Sequence, residues 1–327
     1  MIQLRGKWSN FLVLATLSLL ICFPLKVGAV SQASLLAQTP TAEAASATEQ
    51  FSLFQAAVLG IVQGMTEFLP ISSTAHLKAV PVALGWGDPG VTYSAVIQLG
   101  SIAAVLSYFW QDLATITTGA LRAIRKSEYD AVEFRLALGI ALGTLPIVFF
   151  GLLIKFLIPD FDNSPLRSMG AIAIASIVMA LLLGLAELRG SRKQDFESLS
   201  TKEGIWMGFA QALALIPGVS RSGSTITAGL FIGLKRDTAA RFSFLLGIPA
   251  ITLAGLVEFV DVVQGGLNSG ELMPLLAGII SATVSSYLAI YWLLRYLKKQ
   301  NTWVFVWYRL IFGIVILASL AMGWLQN

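Results

Sequence analysis

The sequence predicts an all-α polytopic membrane protein built as an inverted repeat, each half holding one re-entrant helical hairpin and three transmembrane helices. Three observations carry this expectation. The 327 residues are 56% hydrophobic and only 12% charged, where soluble globular domains carry roughly 25% charged residues. Mean hydropathy is +0.77, and the apolar residues recur in runs of about 20, the length that crosses a bilayer. Those runs also follow one order twice: a broken segment, then three whole ones.

The first 50 residues stand apart. Arg5 and Lys7 precede an apolar run from Phe11 to Phe23, and the small residues Val27-Gly28-Ala29 follow. A basic start, a short apolar core and a small-residue cleavage site read as a signal peptide over residues 1–29, with an uncleaved anchor as the alternative. Residues 30–50, rich in Ala, Ser and Thr, read as a flexible extracytoplasmic tail. Cys22 is the one cysteine. Its loss with the signal peptide would leave no disulfide, no thiolate metal site and no cysteine nucleophile. The net charge of +4 says little about partners, because the position of basic residues matters more than their sum in such a chain; no nucleic-acid partner is expected.

Residues 51–327 read as one membrane domain, with repeat one over about 51–188 and repeat two over about 203–325. Phe51 to Leu69 is apolar, breaks at Pro70, and resumes from Leu77 to Leu84. Spans follow at 91–110, 134–158 and 169–186. Gly204 to Ile216 then breaks at Pro217-Gly218 and resumes from Ile226 to Leu234, before spans at 242–263, 272–297 and 303–324. The broken segments resemble each other: Gly60 and Gly208 each have glutamine three residues on, then an apolar run, a proline and a serine-rich turn. A segment that turns back makes no net crossing. Three crossings per half then invert the second half relative to the first, which places a functional site near the membrane interior.

Loop charges give the orientation. With the tail outside, the inner loops hold Arg122, Arg125, Lys126 and Arg135, then Arg189, Arg192, Lys193 and Lys202, then Lys235, Arg236 and Arg241, then Arg295, Lys298 and Lys299. The outer loops hold Asp160, Asp162, Arg167 and Glu271. This is the positive-inside pattern.

Both breaks carry chemistry. Backbone groups freed by proline and glycine inside a bilayer need protein or a water-filled cavity to satisfy them, so the breaks are expected to face one another across a polar cavity. In the second, "PGVSRSGST", Ser220, Ser222, Ser224 and Thr225 supply hydroxyls, and Gly218 and Gly223 allow close approach of backbone N–H groups. Arg221 adds a planar fork that matches phosphate. A turn entering a helix N-terminus favours an anion. In the first break, "FLPISSTAHL", Ser72, Ser73, Thr74 and the chain's one histidine, His76, follow Glu67. Ser73 and His76 share a helix face, and a serine or histidine beside a carboxylate is the material of nucleophilic attack on phosphorus. The competing reading is a buried histidine that serves only packing. Intramembrane ionisable groups favour function. Lys78 fits either an anion contact or snorkelling to the interface. Tyr308 and Arg309, with Trp303, Phe305 and Trp307, read as an interfacial anchoring belt.

The motifs "QGMTEFLPISSTAH" and "PGVSRSGST" resemble the two signatures of the undecaprenyl-diphosphate phosphatase family of the bacitracin-resistance type, and the similarity continues through "FQAAVLGIVQG", "VIQLGSIAAVLSYFW" and "FSFLLGIPA". The resemblance covers most of the chain from about residue 51 onward. It implies hydrolysis of undecaprenyl diphosphate to undecaprenyl phosphate and phosphate, recycling the lipid carrier for peptidoglycan synthesis in the bacterial plasma membrane. It implies a divalent cation (Mg2+ or Ca2+), homodimers, and a site open to the periplasmic side. Carried over residue by residue, Glu67, Ser73, His76 and Arg221 become catalytic candidates, and Gln63, Ser72, Ser220, Ser222 and Thr225 substrate-binding candidates. Glu67 is also the candidate metal ligand. Gln63 stands where many members have glutamate, so one potential carboxylate is missing.

The mechanism expected from these residues has Arg221 and the loop donors hold the diphosphate while Ser73 or His76 attacks the terminal phosphorus. The residues do not choose between the two nucleophiles. The rival reading is a translocase of an anionic polyprenyl phosphate lipid, because inverted repeats with broken helices are common in transporters.

Overall fold

A computed structural model describes residues 52–87, 90–158, 160–161, 164–265 and 272–325. The signal peptide and tail expected over residues 1–50 lie outside them. The described chain is helical, with one isolated parallel bridge between Gln194 and Leu234.

The first broken segment forms α1 (Leu53–Phe68) and α2 (Ser73–Ala83). Ser52 opens α1 through a capping box with Gln55, its Oγ accepting from the Gln55 N–H and its own N–H donating to the Gln55 side chain. Pro70 disfavours helical backbone at the preceding residue, and Leu69 is extended (φ −66°, ψ 142°). At 1.5 Å per residue, α1 reaches about 24 Å, short of a ~30 Å hydrocarbon core. The second broken segment forms α7 (Thr201–Ala212), a 3-10 turn at Leu213–Leu215, and α8 (Arg221–Phe231). Its capping box joins Ser200 and Glu203.

The whole segments form α3 (Gly90–Tyr108), α5 (Val132–Leu157), α6 (Met169–Arg189), α9 (Arg236–Gly265), α10 (Leu272–Leu297) and α11 (Trp303–Ala321). Five of them are long and apolar enough to cross a membrane, α9 over Arg236–Val257. Around α3, a sixth span passes that test only together with α4 (Trp110–Lys126), from which it is bent by 65°. The chain is a multi-pass membrane protein. The basic stretch after α3, expected as a loop, is helical. Ile116, Ala120 and Ala123 recur at helical spacing on α4, are buried, and bring α4 against α5. The basic residues that suggested a loop sit at its solvated end.

Close helix contacts position the breaks. α1 packs on α10, and α7 packs on α5. A Cβ at Gly64 would lie 2.5 Å from the Ala282 carbonyl oxygen, and one at Gly208 would lie 2.2 Å from the Gly143 carbonyl oxygen. Small residues that let backbones touch are how membrane helices associate without a hydrophobic drive between them. Beneath the breaks, Phe68, Phe109, Phe242 and Phe244 are fully buried, with Phe68 edge-on to Phe244 at 5.2 Å. At the basic end, buried Glu187 of α6 accepts from Arg236 Nε at 3.0 Å, Arg192 Nη1 at 2.9 Å and Thr302 Oγ1 at 2.8 Å. This ties the end of α6 to the start of α9 and to the turn before α11.

Candidate active site

The two breaks meet at Glu67. This buried carboxylate lies in the last turn of α1. Its Oε2 accepts from Ser73 Oγ at 2.7 Å and from Gln63 Nε2 at 3.1 Å. Its Oε1 pairs with Arg221 Nη2 at 3.2 Å, from the other half of the chain. Ser222 Oγ donates to the Leu69 carbonyl at 2.9 Å, a second link between the breaks.

A cavity of about 170 Å³ opens at this junction. Ser72, Ser73 and Thr74 line it from the start of α2, and Ser220 and Arg221 line it from the start of α8. Two helix N-termini therefore face one space, where their free N–H groups and dipoles favour an anion. Arg221 Nε and Nη1 are buried and have no hydrogen-bond partner. Buried guanidinium N–H groups are costly to leave unmet, so they are available to an anionic ligand. Apart from the breaks, the wall is apolar (Ile147, Ala214, Ile216, Ala250, Ile251, Ala254) with the single amide of Gln98. The lining is thus polar and charged at the breaks and apolar elsewhere.

The breaks are strained in the same way. Ser72 (φ 76°) and Ser220 (φ 74°) both have positive φ, and each stands immediately before an 11-residue helix. Such backbone costs of order 1–3 kcal/mol per residue and persists only when the surroundings enforce it. Two side chains do so here. His76 Nδ1 lies 2.7 Å from the Ser72 carbonyl oxygen; a carbonyl only accepts, so Nδ1 carries the proton. Arg309 is 1% exposed and donates to the carbonyls of Pro70 (3.1 Å), Gly218 (2.7 Å) and Val219 (3.1 Å), and through Nε to Ser176 (3.2 Å). One guanidinium satisfies freed carbonyls of both breaks.

The candidate residues thus divide. Glu67, Ser72, Ser73, Ser220 and Arg221 line the cavity. Gln63 reaches it through Glu67. Ser222 is fully buried beneath the loop. Thr225 is too, its Oγ1 donating to the Arg221 carbonyl at 2.7 Å and lying 2.5 Å from Ser243 Oγ. His76 does not line the cavity. Its Nε2 meets Tyr308 Oη at 2.7 Å, and its ring stacks on Phe312 at 4.4 Å. Lys78 Nζ donates to the Arg167 carbonyl at 2.5 Å. Among the described residues no group of three His, Cys, Asp or Glu could hold a metal, and Glu67 is the one carboxylate lining the cavity.

The expectation that Tyr308 and Arg309 form an interfacial belt is overturned. Neighbouring Trp303 and Trp307 suggested anchoring, but Arg309 faces inward to carbonyls that the breaks leave without helical partners. Its signal was present: an arginine ten residues from the nearest other charge, inside a span, is expensive unless paired. Gln98, a lone amide in an apolar span, was legible on the same ground.

The profile of the family described as "Bacitracin resistance protein BacA" matches residues 56–315. The chain is 63% identical over 315 residues to an undecaprenyl-diphosphatase of Trichormus variabilis, covering 96% of this chain and 95% of that relative. It is 65% identical over 272 residues to one of Synechocystis sp., covering 83% of each. A third, from Synechococcus elongatus, is 62% identical over 284 residues, covering 87% of this chain and 99% of the relative. With the match spanning both breaks and nearly every helix, the chain belongs to the BacA family of bacitracin-resistance proteins.

Proposed function

We propose that this protein is an undecaprenyl-diphosphatase, hydrolysing undecaprenyl diphosphate to undecaprenyl phosphate and inorganic phosphate and so recycling the lipid carrier used for peptidoglycan. Its family membership and the names of its relatives support the activity. The observation that carries the site is the Ser73–Glu67–Arg221 chain of contacts across the two breaks, beside guanidinium N–H groups with no protein partner.

Arg221, the Ser72 and Ser220 hydroxyls and the N–H groups at the starts of α2 and α8 hold the diphosphate. They stabilise the charge that gathers on the phosphoryl oxygens, the main demand of phosphoryl transfer. Ser73 Oγ forms a bond to the terminal phosphorus as the bond from that phosphorus to the bridging oxygen breaks. Undecaprenyl phosphate departs with the bridging oxygen and its electron pair. Glu67 Oε2, already accepting from Ser73 Oγ, takes the serine proton and passes it to solvent. Water then attacks the phosphoserine; Glu67 takes a proton from that water and returns it to Ser73 Oγ as the Oγ–phosphorus bond breaks, and inorganic phosphate is released. Both nitrogens of His76 are engaged by protein partners, the Ser72 carbonyl and Tyr308 Oη, which favours serine as nucleophile and gives His76 the work of holding Ser72 in place.

The family resemblance implies a divalent cation, Mg2+ or Ca2+. A site with one carboxylate fits a cation shared with substrate phosphates rather than caged by protein. Glu67 would hold it, and it would neutralise further charge on the diphosphate.

The inverted-repeat reading is supported by reciprocal packing. The opening helix of each broken segment docks on the middle whole span of the other half, α1 on α10 and α7 on α5, and the last spans α6 and α11 pack together. Basic residues concentrated at one end support a plasma-membrane protein whose site opens to the periplasm. The resemblance also supports a homodimer.

The test is release of inorganic phosphate from undecaprenyl diphosphate by purified protein in detergent, where transport is impossible. Turnover that falls by orders of magnitude in Arg221→Ala, to a small measurable rate, is expected. A wild-type protein that binds the lipid and releases no phosphate would instead fit a translocase.

A further inference from the structure

We propose that Gly247 is a positioning residue for Arg221, holding open the place on α9 where the guanidinium must lie to grip a diphosphate. The inference rests on Arg221 as a phosphate ligand. A Cβ built on Gly247 would stand 1.4 Å from Arg221 Nη1 and 2.6 Å from Cζ. The guanidinium therefore meets the backbone of α9 end-on, through Nη1, in space that no side chain at position 247 could share. On its other side, Glu67 Oε1 takes Nη2 at 3.2 Å. Clamped between a helix backbone and a carboxylate, the group keeps Nε and Nη1 buried and without partners.

The rest of α9 agrees. Gly247, Ala250, Ile251 and Ala254 fall at i, i+3, i+4 and i+7, one face of a helix, and the last three line the cavity. Along this face the residue beside the arginine is the smallest, and two of the three cavity-lining residues beyond it are alanine.

Gly247 also differs from the glycines that hold the fold together. At Gly64 and Gly208 an added Cβ meets backbone of the neighbouring helix, at 2.5 Å and 2.2 Å, and the helices would have to part. At Gly247 it meets only the far end of a flexible side chain. Gly247→Ala should leave the helices in place and move the guanidinium off its seat, changing the site without changing the sequence of any group that touches substrate.

The experiment compares wild type, Gly247→Ala, Arg221→Ala and the double variant, in detergent with undecaprenyl diphosphate, reading kcat and KM separately together with thermal unfolding. Gly247→Ala is expected to unfold at the wild-type temperature and to lose about 10- to 100-fold in kcat/KM, the worth of one charge-assisted hydrogen bond. In the Arg221→Ala background the glycine change is expected to cost nothing further, because its only target is gone. A merely structural glycine would lower stability in both backgrounds. Wild-type kcat/KM in Gly247→Ala, or losses that multiply in the double variant, overturns the proposal. Should Gly247→Ala fail to fold, the double variant decides: recovery of folding when the arginine is truncated supports the clash, and continued failure contradicts it. Wild-type turnover in Arg221→Ala alone refutes the site reading instead.

Discussion

Arg221 Nη2 lies 3.2 Å from Glu67 Oε1, joining residues 154 positions apart in sequence across the two broken segments. Both side chains are nearly buried, at 9% and 7% exposure. A buried pair of this kind is weak evidence for stability, because desolvation offsets much of the attraction. Its position beside a strained serine and a polar cavity gives it another use. On the proposed mechanism it aligns the base for Ser73 and the cation for the substrate in one contact.

Arg309 should be the residue whose loss harms both breaks at once. Arg309→Met removes the donor from the carbonyls of Pro70, Gly218 and Val219 while keeping much of the volume. Unmet buried polar groups cost about 1–3 kcal/mol each. Thermal unfolding in detergent should fall by well over 5 °C, with turnover lost even below that temperature. Normal unfolding and turnover would show the bracing to be unnecessary.

His76 and Tyr308 should act as a unit. Each single change, His76→Ala or Tyr308→Phe, should lower kcat, and Tyr308→Phe should add little in the His76→Ala background. A coupling of about 1 kcal/mol or more in that double-mutant cycle is expected for residues in direct contact. Strictly additive losses would separate the two residues functionally.

Ser72→Gly should relieve backbone strain while removing a hydroxyl from the cavity. Glycine adopts positive φ without steric cost, so stability should hold or rise by about 1 kcal/mol while kcat/KM falls. A loss of stability with unchanged turnover would reverse the argument.

Glu187→Ala tests the far end of the molecule. It leaves Arg236, Arg192 and Thr302 without their shared acceptor, and removing one partner of a buried ionic cluster typically costs about 3–5 kcal/mol; the part-exposed arginines bring the expectation to the lower end. Unfolding temperature should drop markedly while KM for the folded enzyme stays near wild type, because no cavity-lining residue is touched.

Much of this arrangement was legible before any coordinates. Five whole spans were read from run length, the sixth proving bent into α4, and the breaks from Pro70 and Pro217-Gly218, since proline and glycine act locally. That Glu67, Ser73 and Arg221 gather was also foreseeable, because ionisable groups inside a bilayer need one another. What stayed hidden depends on direction rather than composition. Nothing in the sequence says that His76 turns from the cavity toward Tyr308, or that Arg309 looks inward while Trp307, two residues away, is 59% exposed. Helix α4 was missed because its basic end outweighed its short apolar stripe. Gly247 was one glycine among 29, and only the placement of a side chain 26 positions earlier gives it meaning.

The most direct test of the central claim is chemical trapping. Undecaprenyl diphosphate labelled in its terminal phosphate is mixed with the enzyme, quenched in the first turnover, and the label mapped by peptide mass spectrometry. The account predicts phosphoserine at Ser73, absent from Ser73→Ala. A label on His76, or full turnover by Ser73→Ala, would contradict it.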